Sequence, residues 1–258
     1  MQQLKRSIEK KKAELDRLRP LRPDALKNLV HYYDVELTYT SNAIEGNTLT
    51  HRETAELIEH GITVGGKPLR DHLEAEDHYQ AVRWMRELAS RDTPLGETTV
   101  TELHRRIVAR SRPEIAGVYS DHSRRIAGSA VVFPNPLKIP ELMDAFGREL
   151  ETAPLSPASA FGTHFRLTAI HPFSDGNGRT ARLLMNLMLL RGGYAPVAVR
   201  PEDRARYLDA LERASLVEDL VPLQTLMHER LDATLEAYLN AFREALPGRP
   251  ERGRPPAS

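Results

Sequence analysis

The stretch His171-Pro172-Phe173-Ser174-Asp175-Gly176-Asn177-Gly178-Arg179-Thr180-Ala181-Arg182 runs straight into Leu183-Leu184-Met185-Asn186-Leu187-Met188-Leu189-Leu190-Arg191. From Arg179 to Arg191 the residues are apolar nearly all round a helical wheel, which predicts a helix at the buried centre of the fold. Working outward, helical periodicity dominates both flanks. Upstream helices are expected over Asp24–Ile44, from the capping box Thr50/Glu53 to Gly61, through Leu73, Val82, Trp84 and Leu88, over Glu97–Ala109, from Pro140, and over Pro157–Ile170. Downstream ones are expected over Pro201–Ser215 and Leu220–Leu246. The fold class is therefore all-α, a helical bundle around a buried central helix.

One stretch departs from this pattern. Between Gly117 and Pro136, short segments such as Ala130-Val131-Val132-Phe133 are punctuated by Gly and Pro, which predicts a small β-hairpin or extended flap. The chain divides into a charged N-terminal helix (1–30), a helical region (31–95), a core (96–235) and a C-terminal helix end with a disordered tail (236–258). In the first, Leu4, Ile8, Leu15 and Leu18 make a thin apolar stripe expected to dock on the body of the domain.

Lys plus Arg is 36 and Asp plus Glu is 36, a zero balance that argues against a nucleic-acid scaffold or a polybasic membrane binder. Cysteine is absent, which excludes disulfide scaffolds, thiol nucleophiles and thiolate metal sites. No apolar run approaches the roughly 18 residues of a membrane span. A soluble cytoplasmic protein is the expectation.

The segment from His171 to Arg182 concentrates unusual choices. Pro172 pushes His171 out of helical geometry, placing its imidazole at a helix exit. Gly176, Asn177 and Gly178 tolerate positive φ and can turn backbone N–H groups toward one point, a concavity before a helix N-terminus that suits phosphate. Arg179 and Arg182, expected in the first turn, oppose the helix dipole unless an anion sits between them and it. Asp175 can hold Mg²⁺, the usual companion of a polyphosphate, and His171 can act as a base near neutrality. Base, metal carboxylate, anion cradle and arginines together suggest nucleotidyl or phosphoryl transfer. The pattern Gly176-x-Gly178-x-x-Ala181 also fits a dinucleotide fingerprint, but no strand precedes it and the chain reads as helical, so that reading is rejected.

HPFSDGNGRTAR resembles the signature of Fic-domain proteins, HxFx(D/E)GNGRxxR, at every specified position. The resemblance implies a mostly helical domain that binds Mg·ATP in this loop and transfers AMP to a Ser, Thr or Tyr hydroxyl of a target protein. By the same resemblance His171 is the general base, Phe173 a core anchor, and Asp175 the Mg²⁺ ligand. Gly176, Asn177 and Gly178 form the anion hole, and Arg179 and Arg182 grip the distal phosphates. Ile126 to Phe133 matches the family's flap, which clamps the target as an added strand, with Gly128, Ser129 and Ala130 nearest the nucleotide. Tyr207 matches a position near the adenine; the Asn often found two turns on is Ser215 here.

Ser41-Asn42-Ala43-Ile44-Glu45-Gly46 resembles the family's inhibitory motif, (S/T)xxxE(G/N), placed before the main signature as in members with their own inhibitory helix. The resemblance makes Arg182 the partner of Glu45, so that the arginine is denied to the γ-phosphate. The expectation is an auto-inhibited protein adenylyltransferase that also modifies itself, with ATP as substrate and with dimerisation as one way to tune the restraint. Two alternatives stand beside it: a hydrolase that uses Glu45 to align water and remove AMP, and a non-catalytic nucleotide-binding regulatory module.

Overall fold

The computed structural model describes residues 1–19, 23–125 and 128–245. Among them the chain forms α1 (Gln2–Arg17), α2 (Pro23–Ile44), α3 (His51–His60), α4 (Leu69–Ala89) and α5 (Glu97–Ile107). Then follow α6 (Ile139–Thr152), α7 (Pro157–Ile170), α8 (Asn177–Arg191), α9 (Arg204–Val217) and α10 (Val221–Ala245). The expected tail, residues 247–258, lies outside the described residues.

Helix α8 is the hub. Its residues from Asn177 to Leu189 are buried with the sole exception of Gly178, and α7, α4 and α5 pack around them. Burying each Leu or Met of this helix contributes about 1.5–3 kcal/mol relative to exposure, which offsets its weak amphipathicity. Asn186 is a buried polar residue within it. Its Oδ1 accepts from Val197 N–H at 2.6 Å and its Nδ2 donates to Val197 O at 3.0 Å, tying the returning chain to the hub. Both side-chain polar atoms of Asn186 thus have a partner, as burial requires.

The N-terminal stripe docks as expected: Ile8 and Leu15 are buried where α1 lies along α10. Ion pairs Lys11–Asp232 at 2.9 Å and Arg243–Glu14 at 2.6 Å flank the contact. The Thr50/Glu53 capping box forms, and Gly61 closes α3 in the left-handed conformation.

Among the described residues the flap forms no hairpin. Among the described residues the β-pairing is confined to an isolated bridge between Tyr119 and Phe173. The groups a hairpin would pair are taken by side chains: Ala130 N–H donates to Glu212 Oε1 at 3.0 Å and Val131 N–H to Ser129 Oγ at 3.2 Å. Ile126, where the flap was expected to start, lies outside the described residues. No helix is long and apolar enough to cross a membrane among the residues described.

Candidate active site

Two helix ends meet at the site. Helix α7 stops at His171, whose φ of 52° and ψ of 53° place a non-glycine residue in the left-handed region, and Pro172 prevents the helix from continuing. Such a conformation costs on the order of 1–2 kcal/mol and persists only where surroundings impose it. Five residues after His171, Gly176 (φ 76°) opens α8 without a capping side chain, leaving first-turn N–H groups uncapped.

Of the three residues read as positive-φ candidates, only Gly176 uses that freedom. Asn177 and Gly178 already belong to α8. Asn177 closes the loop instead: its Oδ1 accepts from Phe173 N–H at 2.9 Å and its Nδ2 donates to Phe173 O at 2.8 Å. A Cβ at Gly178 would displace the Glu45 carboxylate and lie 3.0 Å from Arg182 Nη1.

Phe173 is fully buried and stacks on His104, ring centroids 3.7 Å apart. His104 Nδ1 accepts from Gly117 N–H at 3.0 Å, so its Nε2–H donates to Asp175 O, also at 3.0 Å. Both contacts need the neutral ring, and burial pushes its pKa down to about 4.

A cavity of about 320 Å³ opens beside this loop. It brings together His171, Gly178, Arg182 and Tyr207 with Glu45 from the end of α2 and Gly128 and Ser129 from the flap. Leu208, Leu211, Glu212 and Ser215 of α9 form the far wall. Phe133 stacks on the His171 ring at 4.0 Å. Burial lowers the His171 pKa, against the upward pull of a bond to the Thr168 backbone and the charge of Glu45, so the imidazole is neutral at pH 7.

Arg182 is buried and fully engaged. Nη2 donates to Glu45 Oε1 at 2.7 Å and to Ser41 O at 2.9 Å, Nε to Ser41 Oγ at 2.9 Å, and Nη1 to the Tyr207 hydroxyl at 3.3 Å. That hydroxyl then donates to His164 Nε2 at 2.9 Å, and His164, fully buried, has its pKa pushed down to about 3. Tyr207 is only 1% exposed, so its ring is packed into the pocket wall with no face free to stack on a base.

The turn carrying Glu45 is sewn down on both sides. Gly46 (φ 95°) ends α2, and Thr48 donates through N–H and Oγ1 to Asp71 Oδ2 at 2.7 and 2.6 Å. A glutamate at a helix C-terminus is electrostatically unfavourable; Arg182 and Arg204, whose Nε donates to Ile44 O at 2.8 Å, offset it.

Of the expected ligands, Arg179 and Asp175 stand outside the cavity lining. Arg182 lies in the second turn of α8, not the first, and reaches the cavity. Arg179 is 2% exposed and directed away from the cavity, with Nη2 3.3 Å from Asp175 Oδ1 and Nη1 3.7 Å from Glu74. At N3 of α8 its side chain falls on the face packed against α4, which explains the placement. Asp175 Oδ2 meets Arg70 at 3.1 Å and Arg112 at 3.3 Å. Burial alone would raise the Asp175 carboxyl; Arg179, the Gly176 N–H and Arg112 outweigh it and hold the pKa below the usual value. Ala130 lies on the flap but outside the cavity lining.

For Mg²⁺ the donor set fits an ion that arrives with a nucleotide. Asp175 is one ionised carboxylate, and among the described residues no three metal-ligating side chains cluster. One or two carboxylates plus phosphate oxygens are the usual Mg²⁺ environment. His104, His164, Arg204 and Glu212 were not singled out from sequence. Each acts through a partner 40 or more positions away, and no local spacing marks it.

The fold and cavity define a class: a helical domain built around an uncapped helix N-terminus suited to an anion, with a neutral histidine beside it. Residues 94–189 match the Fic/DOC family, and the chain belongs to that family. It is 36% identical over 206 residues to the protein adenylyltransferase Fic of Nematostella vectensis, covering 78% of this chain and 48% of that protein. It is 31% identical over 225 residues to the protein adenylyltransferase fic-1 of Caenorhabditis elegans, covering 85% and 44%. The chain thus spans about half the length of the curated relatives it matches. Among solved structures, residues 134–508 of C. elegans Fic-1 superpose with a TM-score of 0.85 at 28% identity, over 95% of this chain and 73% of that one. A Fic domain containing signaling protein from Bacteroides thetaiotaomicron superposes with a TM-score of 0.82 at 29% identity, over 92% and 98%.

Proposed function

We propose that the chain is an auto-inhibited protein adenylyltransferase, which moves AMP from ATP to a hydroxyl of a target protein and of itself. The observation that carries this reading is the coexistence, in one cavity, of a neutral His171 and an Arg182 wholly occupied by Glu45, Ser41 and Tyr207. The names of the curated relatives support the reaction class.

In this mechanism the neutral His171 accepts the proton of the incoming hydroxyl as its oxygen forms a bond to the α-phosphorus. The bond from that phosphorus to the α–β bridging oxygen breaks, and pyrophosphate leaves with the electron pair. The uncapped N-terminus of α8 receives phosphate oxygens, favoured by the helix dipole. Arg182, once released from Glu45, pairs with the terminal phosphate. Mg²⁺, held by Asp175, would neutralise polyphosphate charge when bound. While Glu45 keeps Arg182, the terminal phosphate lacks its partner and the nucleotide sits misaligned. Flap residues 129–133, whose Phe133 stacks on His171, are the segment onto which a target chain adds as a strand.

The test is transfer of label from α-labelled ATP into protein. The Glu45→Gly variant should incorporate it and the Glu45→Gly/His171→Ala variant should not; equal labelling of the two would overturn the role given to His171. A second reading is favoured by the position of Glu45, which lines the same cavity as His171 and is 40% exposed, so that it could align water for removing AMP. Release of AMP from a modified protein, lost on Glu45→Gln, separates the two directions.

A further inference from the structure

Asp175 carries a set of contacts that the proposed chemistry does not use. Its Oδ2 meets Arg70 Nη2 of α4 at 3.1 Å and Arg112 Nη1 of the turn after α5 at 3.3 Å. Both guanidiniums keep a second carboxylate. Arg70 Nε donates to Glu74 Oε1 at 2.9 Å, and Arg112 Nε to Glu114 Oε1 at 3.2 Å. Asp175 does not line the cavity that holds His171 and Arg182.

We propose that Arg70 and Arg112 are positioning residues that hold the Asp175 carboxylate away from a divalent cation, a restraint on the metal site separate from the one Glu45 places on Arg182. The inference rests on the reading of the adjoining cavity as a nucleotide site whose Mg²⁺ is held by Asp175. A carboxylate oxygen shared by two guanidiniums has its lone pairs occupied and its charge compensated, so a cation must displace at least one of them. Displacement is cheap because each arginine already touches its other acid: Arg70 settles on Glu74 and Arg112 on Glu114, and no buried charge is stranded. The arginines are 55% and 35% exposed, so their hold is modest and screened by salt. Such contacts set the cation concentration at which the site fills; they do not forbid filling. Arg179 and the Gly176 N–H contact the other oxygen, Oδ1, and keep the carboxylate in place when Oδ2 is released.

The experiment titrates Mg²⁺ into the full chain in the Glu45→Gly background with a fluorescent non-hydrolysable ATP analogue, reading binding by anisotropy. Arg70→Ala/Arg112→Ala should lower the half-saturating Mg²⁺ concentration about three- to tenfold. Arg70→Lys/Arg112→Lys should fall between, and adding Asp175→Asn should abolish the difference. Circular dichroism and a thermal melt establish that each variant is folded. An unchanged Mg²⁺ midpoint overturns the inference and leaves the nucleotide reading intact. A raised midpoint also overturns it, because the arginines then assist phosphate binding. No Mg²⁺-dependent binding in any background overturns both.

Discussion

Glu45 Oε1 lies 2.7 Å from Arg182 Nη2, although 137 positions separate the two residues in the chain. The pair joins the C-terminal end of the helix before the core to the second turn of the central helix. Because Arg182 also bonds Ser41 and Tyr207, loss of Glu45 leaves its N–H groups partnered although it removes the counter-charge. Glu45 is 40% exposed, so Glu45→Gly should change stability by less than about 1 kcal/mol in urea denaturation. A loss above 3 kcal/mol would mean that the pair is structural before it is regulatory.

Gly178→Ala tests the crowding around this pair. Its Cβ would press on the Glu45 carboxylate and on Arg182. Because the carboxylate ends a flexible, 40% exposed side chain, the cost should stay near the low end of overpacking, about 1 kcal/mol. In the Glu45→Gly background the carboxylate is gone, so the penalty should shrink. A double-mutant cycle with no coupling would contradict the close approach.

Tyr207→Phe removes the hydroxyl that accepts from Arg182 and donates to His164. It leaves the buried Nε2 of His164 without a donor, at a cost of about 1–3 kcal/mol. Tyr207→Phe combined with His164→Leu should recover much of that loss, since both polar groups are then absent; urea denaturation of the parent and the two variants measures it.

Acid should destabilise the protein in a defined window. His104 and His164 have folded-state pKa values near 4 and 3 against an ordinary 6.5, and His78, fully buried, is also well below it. Between those values the unfolded chain binds more protons than the folded one. Stability is therefore complete above about pH 6.5 and is lost as pH falls toward 4 and then 3. Each histidine contributes about 1.4 kcal/mol per pH unit across its window. The melting temperature should be flat from pH 7 to 8 and fall steeply below 6; a flat profile down to pH 4 would contradict neutral burial.

The rate of transfer should follow the same sign for a different reason. Burial holds His171 below its usual pKa, so the base is already neutral at pH 7. The rate for Glu45→Gly should be level through neutrality, with its acid limb below pH 6.5. A limb centred above 7 would assign the base elsewhere.

Much of this architecture was legible in the sequence. The all-round apolar run after Arg179 identified the hub, and Pro157 with Pro172 bracketed α7, because these signals act within one or two turns. The pairing of Glu45 with Arg182 was reached through motif resemblance. Spacing alone does not carry it, since the contact spans most of the chain. Arg179 was misplaced for the same reason: which face of α8 packs on α4 depends on helices far upstream. The punctuation by Gly and Pro marks the flap as a hairpin or an extended segment, and Glu212, on a helix some 80 positions later, takes the Ala130 N–H that a ladder needs. His104 left no local mark at all; its role comes from stacking on Phe173 and bonding across to Asp175 and Gly117.

Intact-mass spectrometry of the Glu45→Gly protein after incubation with ATP and Mg²⁺ tests the central claim most directly. The account predicts a gain of one or more adenosine monophosphate masses, absent in the parent chain and in Glu45→Gly/His171→Ala. An unchanged mass for a folded Glu45→Gly protein that binds the nucleotide would contradict it.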